Sequence, residues 1–360
     1  MNKKIIIVSG GTAGHIIPSI IIGKELEKKK WNVYWATIKE NLFIFINYKI
    51  PLYKILIINC INFRKINLFK KILFSFLLFK IIIESLIIIN KIKPNLILGM
   101  GNYISFYFCI SSKILNIPII IHEQNFILGL SNKILLFFSK KVLSGFKIKK
   151  INKKIIFTGN PIRKSILNIK NIYLNINKKK GPINILILGG SQGSNFINEL
   201  IIDLLIKFKL NIKIWHQTGD KNFIYFISKY KKLNLTNYLY KINGFIYNIN
   251  KAFLWSDIVI SRSGASIVNE ISYIGLPSIF IPYPTNDNHQ YFNAIYLKNK
   301  KISKIIIQSE CTVNKLYKYL FNINRKILFN MSYNYNMNYL KNNNCNPNDL
   351  IISEIINYDK

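Results

Sequence analysis

Short apolar runs rich in Ile, Val and Leu recur along the chain, each closing on a turn of Gly, Ser, Asn or His and followed by a longer stretch with apolar residues at helical spacing. In the first half these runs predict strands near Ile5–Ser9, Val33–Thr37, Leu96–Leu98 and Pro118–Ile121, with helices between them. One helix is expected to open near Pro18, because the first helical turn has no use for the N–H that proline lacks. A second series begins after Gly181-Pro182, with strands at Ile183–Leu188, Ile212–Trp215, Asp257–Ile260 and Ser278–Ile281. Strand and helix alternating in this way is the pattern of a parallel sheet covered by helices, and here it occurs twice. The boundary is expected between the turn Gly159–Pro161 and the lysine-rich linker Lys178–Pro182, giving one domain over 1–160 and a second over 161–339. After an Asn-rich loop, Asn342–Asn348, the apolar segment Leu350–Ile356 reads as a terminal helix that can dock on either domain.

Composition changes this picture little. A chain of 360 residues that is 50% hydrophobic can build two ordinary cores, which excludes disorder as the main state. The net charge of +36 would ordinarily point to nucleic acid or an anionic membrane. Here the basic excess is nearly all lysine, spread over the whole length and accompanied by Asn, Ile, Tyr and Phe, all of which A/T-rich codons encode; compositional drift accounts for it. No aromatic-basic RNA motif or DNA-recognition module is present, so nucleic acid is not an expected partner. Cys60, Cys109, Cys311 and Cys345 form no Cys-x-x-Cys pair, which fits a reducing compartment and argues against structural zinc. Met1–Ser9 reads as a first strand rather than a signal peptide, since its apolar run is short and leads straight into a Gly turn.

Residues 72–90 are nearly long enough to span a bilayer, but Lys80 and Glu84 sit near the middle, each costing about 2.5–3.5 kcal/mol at a helix centre. A buried or surface-lying helix is expected instead. Arg64, Lys65, Lys70, Lys71 and Lys80 flank or interrupt Phe74, Phe76, Leu77 and Phe79, the mixture that an interfacial helix uses on anionic lipid. Lys71, Phe76, Phe79 and Lys80 are the candidate membrane patch; a core helix with drifted surface lysines is the equal alternative.

The chemistry is concentrated in the post-strand turns. Gly10-Gly11-Thr12-Ala13-Gly14-His15 lacks the dinucleotide glycine spacing, and no acidic residue ends the second strand. His15 can take a proton from a hydroxyl nucleophile, or can simply cap the turn. Gly189–Gly193 and Ser261–Ala265 each join a strand to a helix without the Gly-Lys-Ser/Thr end of a triphosphatase loop, so the two helix N-termini suit a diphosphate. Glu270, six residues beyond Gly264, is placed to accept both hydroxyls of a ribose. His122-Glu123-Gln124-Asn125 puts four polar groups beyond a strand of the first sheet, where ligands of open α/β sheets bind. His15, His122 and His216 are all expected in such turns, with His289 near another, and no spacing supports a metal site.

Together, GGTAGHIIPS, LGMGNYIS, HEQN, GNPIR, GGSQGS, IWHQTG and RSGASIVNE with GLPSIFIP resemble the MurG family of peptidoglycan glycosyltransferases, collinearly from about residue 5 to 300. The resemblance implies an α/β, GT-B glycosyltransferase fold: two Rossmann-like domains with parallel sheets facing a central cleft, the first rejoined by a C-terminal helix at about 340–360. It implies transfer of N-acetylglucosamine, with inversion, from UDP-N-acetylglucosamine to the muramyl sugar of undecaprenyl-diphosphate-MurNAc-pentapeptide, with no tightly bound cofactor. The enzyme would lie peripherally on the cytoplasmic face of the inner membrane, with an anionic lipid surface and other wall-synthesis proteins as partners. By the same resemblance Arg163, Ser191, Ile246 and the run Ala265, Ser266, Ile267, Val268, Asn269 and Glu270 hold the donor, with Glu270 on the ribose and Ser191 and the 265 turn on the diphosphate. Thr12, Ala13, Gly14 and Asn125 complete that site, and Gln290, beside His289, contacts the sugar. His15 is the expected base and Glu123 the less favoured one. Three positions depart from the family pattern: Ala13 and Asn102 stand where glycine is usual, and His289 replaces the first residue of a Gln-Gln pair. A transferase acting on another lipid acceptor such as diacylglycerol would share the donor site and differ in the first-domain loops; a drifted, non-catalytic remnant is the other alternative.

Overall fold

A computed structural model of the chain describes residues 3–58, 71–148, 152–190, 192–340 and 346–358, with the backbone alone described at 71–78 and 339–340. The chain divides into two units, Met1–Ile162 with Cys345–Lys360, and Arg163–Asn344.

The first unit holds seven strands: β1 (Lys4–Val8), β2 (Asn32–Thr37), β3 (Ile55–Ile57), β4 (Leu96–Gly99), β5 (Ile119–Glu123), β6 (Lys141–Ser144) and β7 (Ile155–Phe157). They form one sheet in the order β3-β2-β1-β4-β5-β6-β7, and every pairing is parallel. Helices cover both faces, which is why β1 runs apolar without alternation from Ile5 to Val8. Ile5 and Ile7 pack on one side with Ile16, Ile20 and Trp35; Ile6 and Val8 pack on the other with Ile104, Phe108 and Ile121. The first of these cores also takes Ile351, Ile352 and Ile355 of the terminal helix Pro347–Ile356. An ion pair of 2.8 Å between Lys141 and Glu354 holds the same helix at the rim.

The second unit repeats the plan with β8 (Ile183–Leu188), β9 (Ile212–Gln217), β10 (Leu239–Asn243), β11 (Ile258–Ser261), β12 (Ser278–Phe280) and β13 (Ser303–Ile305). Their order is β10-β9-β8-β11-β12-β13, again parallel throughout. In each unit the strand order reverses direction around the first strand, β1 or β8. Chains leaving β1 and β4 diverge there, as do those leaving β8 and β11, and this is where open α/β sheets bind ligands. The turns at Gly10–His15, Gly99–Asn102, Gly189–Gly193 and Ser261–Ala265 are the four connections that start from these strands.

Three local expectations are corrected. The first helix runs over Ala13–Lys28, with Pro18 inside it and buried; burial against the sheet offsets the lost N–H, and His15 is thereby carried on the first helical turn. His122 belongs to β5 and His216 to β9, and both are fully buried in strands rather than turns. Burial pushes their imidazoles down to about 4 and about 3, so both stay neutral near pH 7. His216 meets the Tyr230 hydroxyl and Asn198 Oδ1 at 3.0 Å each, an internal structural bridge. Cys109 and Cys311 are buried and unpaired; Cys60 and Cys345 lie outside the described residues.

No helix among the described residues is long and apolar enough to cross a membrane. The helix Lys71–Ile92 buries Ile81, Ser85 and Ile89. On the opposite face Phe79, Ile83 and Ile87 are 63%, 41% and 62% exposed, with Lys80 exposed beside them. The side chains of Lys71 and Phe76 lie outside the described residues, as do Arg64, Lys65 and Lys70 entirely.

Candidate active site

In the second unit, β8 ends at Leu188, and the loop that follows delivers Ser194 as the cap of the helix Asn195–Lys207. Gly193 has φ +79, and a Cβ there would come within 2.1 Å of the Thr218 carbonyl oxygen, so the loop can lie this close to the next strand's exit only as glycine. Gln217, the last residue of β9, ties the loop down: its Nε2 donates to Gly190 O and its Oε1 accepts from Ile246 N, both at 2.9 Å. Ile246 is thus fixed through its main chain, with its side chain buried. Ser191 lies outside the described residues.

Beyond β11, Arg262 is 7% exposed and, among the described residues, donates to neutral oxygens, Ile281 O at 3.0 Å, Pro282 O at 3.3 Å and Ser194 Oγ at 2.8 Å. Its guanidinium faces the rings of Phe196 and Tyr283. Burial pulls its pKa down to about 10, which leaves it charged at neutral pH. It therefore joins the two glycine loops and gives them a positive potential. Two residues later Gly264 precedes the helix Ala265–Ile274, and here glycine has another use. With φ −61 it needs no left-handed conformation, and a Cβ would meet no protein atom within 4 Å. The approach to a helix N-terminus, which favours anions, is open at that point. Gly264→Ala is expected to leave the melting temperature within about 3 °C of wild type, because an N-cap substitution of this kind costs under about 1 kcal/mol. Its KM for a nucleotide-diphosphate donor is expected to rise severalfold, and parallel melting and kinetic measurements separate the two effects.

Along that helix Val268 and Ala265 pack inward, while Ser266, Ile267 and Asn269 are half-buried. Asn269 Nδ2 donates to Ala265 O at 2.8 Å. Glu270 is 3% exposed. Its Oε1 lies 3.1 Å from Arg163 Nε, whereas its Oε2 is buried with no hydrogen-bond partner among the described residues. Burial raises the Glu270 pKa and the Arg163 charge opposes the rise. A shielded carboxylate oxygen without a donor is costly, and hydroxyls of a ribose would supply the missing donors. Gln290 accepts from Tyr283 N at 3.0 Å and so holds the loop after β12. His289 is turned to Asp287 at 2.7 Å and Thr285 at 3.3 Å.

In the first unit the helix that starts at Ala13 puts His15 against the exit of β4. His15 Nδ1 is 2.9 Å from Met100 O and 2.9 Å from Gln124 Oε1. Both are acceptors, so Nδ1 carries the hydrogen and Nε2 is left with its lone pair, the state a general base requires. Ala13 opens the helix, where alanine is the strongest helix former, and packs on the core. Thr12 is the N-cap residue without a side-chain cap bond.

Asn102 has φ +80, and its side chain compensates for the glycine it replaces. Oδ1 caps the helix Tyr103–Ile114 by accepting from Ile104 N and Ser105 N at 3.0 and 3.2 Å, and Nδ2 donates to Gly10 O at 2.7 Å. The substitution thus links the Gly99–Asn102 and Gly10–His15 turns. Asn102→Ala loses the cap, worth about 1 kcal/mol, and places a less tolerant residue at positive φ, so denaturant unfolding of the first unit is expected to show a loss of about 2 kcal/mol.

Glu123 does not have the geometry of a base. It is 2% exposed, Oε1 accepts from Asn125 N at 2.9 Å and Asn125 Nδ2 at 3.2 Å, and Oε2 accepts from Gly129 N and Asn132 Nδ2 at 2.9 Å each. Both oxygens are engaged, and the carboxylate organises the loop after β5 that carries Asn125. Thr12, Ala13, Gly14, His15 and Asn125 belong to the first unit, and Arg163, Ile246, Ala265–Glu270, His289 and Gln290 to the second. Gln217 and Arg262 were not anticipated as site residues. Their signal was position alone, one at the end of an apolar run and the other directly before the Ser263-Gly264 turn.

Comparison with known proteins identifies the family. Residues 5–144 match the glycosyltransferase family 28 N-terminal domain and residues 184–343 its C-terminal domain. A UDP-N-acetylglucosamine–N-acetylmuramyl-(pentapeptide) pyrophosphoryl-undecaprenol N-acetylglucosamine transferase of Buchnera aphidicola subsp. Baizongia pistaciae is 41% identical, covering 92% of this chain and 93% of its own. The enzyme of the same name from Coxiella burnetii is 34% identical, covering 89% and 88%. The crystal structure of Acinetobacter baumannii MurG superposes with a TM-score of 0.75 at 25% identity, over 94% of this chain and 95% of that one. The chain belongs to glycosyltransferase family 28 and, within it, to the MurG family.

Proposed function

We propose that this protein transfers N-acetylglucosamine from UDP-N-acetylglucosamine to the muramyl sugar of undecaprenyl-diphosphate-MurNAc-pentapeptide, the step that completes the lipid-linked disaccharide of peptidoglycan. The observation that carries the donor side is Glu270, buried beside Arg163 with an unpartnered Oε2, on a helix whose N-terminus is open at Gly264.

In the reaction, the acceptor hydroxyl oxygen attacks the anomeric carbon of the donor sugar as the bond from that carbon to the UDP oxygen breaks. The electron pair leaves with the β-phosphate, and the configuration inverts. The hydroxyl proton passes to His15 Nε2. Charge growing on the diphosphate is met by the N-terminus of the helix Ala265–Ile274 and by the positive potential of Arg262. Glu270 accepts from the ribose hydroxyls, and Gln290 supports the sugar side through the loop at Tyr283.

The acceptor is held on a membrane, and the exposed stripe of Phe79, Ile83 and Ile87 beside Lys80 gives the first unit an apolar face with positive charge for peripheral binding on the cytoplasmic leaflet. Replacing Phe79, Ile83 and Ile87 together with serine is expected to release the protein from phosphatidylglycerol vesicles by at least tenfold, with UDP binding unchanged. Vesicle binding equal to wild type would refute the stripe.

Acceptor class is tested by offering labelled UDP-N-acetylglucosamine with either the muramyl-pentapeptide diphosphate lipid or diacylglycerol. Label is expected on the first lipid alone, in a β-linkage from the α-linked donor. Label on diacylglycerol alone would replace this function with a different lipid glycosylation.

A further inference from the structure

Beside the site described above lies a buried chain of polar groups that the transfer reaction does not itself use. His122 is fully buried, and its Nε2 is 3.3 Å from Gly159 O. A carbonyl cannot donate, so Nε2 carries the hydrogen and His122 Nδ1 is a bare acceptor. Gln124 Nε2 lies 3.2 Å from that Nδ1 and 3.3 Å from His122 O. Two acceptors on one side force the amide nitrogen to face His122 and Oε1 to face His15 Nδ1, 2.9 Å away. Met100 O, also 2.9 Å from His15 Nδ1, closes the far end. Turning the Gln124 amide over would set its oxygen against two acceptors and its NH2 against an N–H, at sites with no solvent to compensate. Each such mismatch leaves a polar group unpaired and is disfavoured.

We propose that Gln124 and His122 are positioning residues for His15: they carry the fixed polarity of the Gly159 carbonyl through two side chains and hold His15 with its hydrogen on Nδ1 and Nε2 open. A solvated histidine side chain favours the opposite tautomer, so a base working through Nε2 gains from a network that reverses the preference. The anchor at Gly159 is itself fixed. Asn160 Nδ2 donates to Gln124 O at 2.9 Å. Asn348, on the terminal helix, pairs with Ile162 N and Ile162 O at 2.8 Å each. The terminal helix thus supports the turn on which the chain of hydrogen bonds ends.

The arrangement also survives proton uptake. Burial pushes the His122 pKa down to about 4, with the Gly159 bond opposing the shift and the charge of His15 adding to it. His122 therefore remains neutral when His15 becomes an imidazolium, and the direction of the network does not reverse. The other ionisable group in these turns, Glu123, is tied to Asn125, Gly129 and Asn132.

The catalytic consequence rests on the assignment of His15 as base, whereas the tautomer does not, and the test separates them. The chain has four histidines, so nitrogen-15 histidine labelling gives an assignable spectrum. Wild type is expected to show His15 protonated on Nδ1 and bare on Nε2. Gln124→Met, which keeps the shape and removes both hydrogen-bonding atoms, is expected to give a mixture of His15 tautomers and a kcat about 10- to 100-fold lower, with the donor KM unchanged. If Gln124→Met fails to fold, His122→Phe carries the same test, since it removes the side-chain acceptor of the two that fix the direction of the Gln124 amide. A wild-type His15 protonated on Nε2, or an unmixed Nδ1–H tautomer in the variant, overturns the proposal while leaving the transferase function standing. Full transfer by His15→Ala would instead remove the base assignment and leave the tautomer result intact.

Discussion

Replacing His15 with alanine is expected to lower kcat by about 10²- to 10⁴-fold, the usual worth of a positioned general base, with UDP-N-acetylglucosamine binding within about twofold of wild type. The expectation comes from the single lone pair that the surroundings leave on this imidazole. Met100 O and Gln124 Oε1 occupy Nδ1, and Nε2 has no hydrogen-bond partner among the described residues. An alternative base is hard to find in the same turns. His122 is buried and committed to Gly159, and the two Glu123 oxygens accept four hydrogen bonds between them. Rapid-quench measurement of a single turnover, beside titration of UDP binding, reads both quantities. A fall in donor affinity matching the fall in rate would mean that His15 binds rather than abstracts.

Glu270→Gln is expected to separate binding from stability in the opposite direction. In the unliganded protein Glu270 is a desolvated carboxylate with one oxygen against Arg163 and the other unpartnered. Burial raises its pKa, against the pull of Arg163. A neutral amide of the same shape removes the desolvated charge and keeps an acceptor for Arg163, whose side chain is 21% exposed and so stays partly solvated without its partner. Melting is therefore expected to stay within a few degrees of wild type. Donor binding is another matter, because hydrogen bonds to a charged acceptor are worth about 1.5–3 kcal/mol each, so UDP-N-acetylglucosamine is expected to bind about 10- to 100-fold more weakly. Isothermal titration alongside thermal unfolding checks both. Unchanged donor affinity would take Glu270 out of the donor site.

Much of this molecule is legible in its sequence, for a physical reason. Central strands such as β1 and β8 are covered on both faces, so they stand out as continuous apolar runs, and the glycine turns after them mark where the backbone must come close to something else. Edge strands are harder. β3 and β13 are short and β10 buries none of its residues, with lysines at Lys241 and Lys304, and their patterns merge with the surrounding loops. The polar ends of strands misled in the other direction. His122, Glu123, His216 and Gln217 read as turn residues because polar groups rarely sit deep in a sheet, yet each is satisfied by a distant partner that no local pattern encodes. Pro18 misled in the same way, since the burial that keeps it inside a helix depends on the sheet beneath. Within the site, Glu270 and His15 could be picked out by residue type and position. The tautomer of His15, the linking role of Gln217 and the neutral partners of Arg262 depend on long-range geometry.

The account stands most directly on one assay. Labelled N-acetylglucosamine transfer from its UDP donor to the muramyl-pentapeptide diphosphate lipid is followed for wild type, His15→Ala and Glu270→Gln, with UDP binding measured on the same preparations. Wild type is expected to transfer, His15→Ala to bind UDP normally while transferring far more slowly, and Glu270→Gln to be weakened in both together. A wild-type protein that binds UDP but leaves this lipid unlabelled would contradict the central claim.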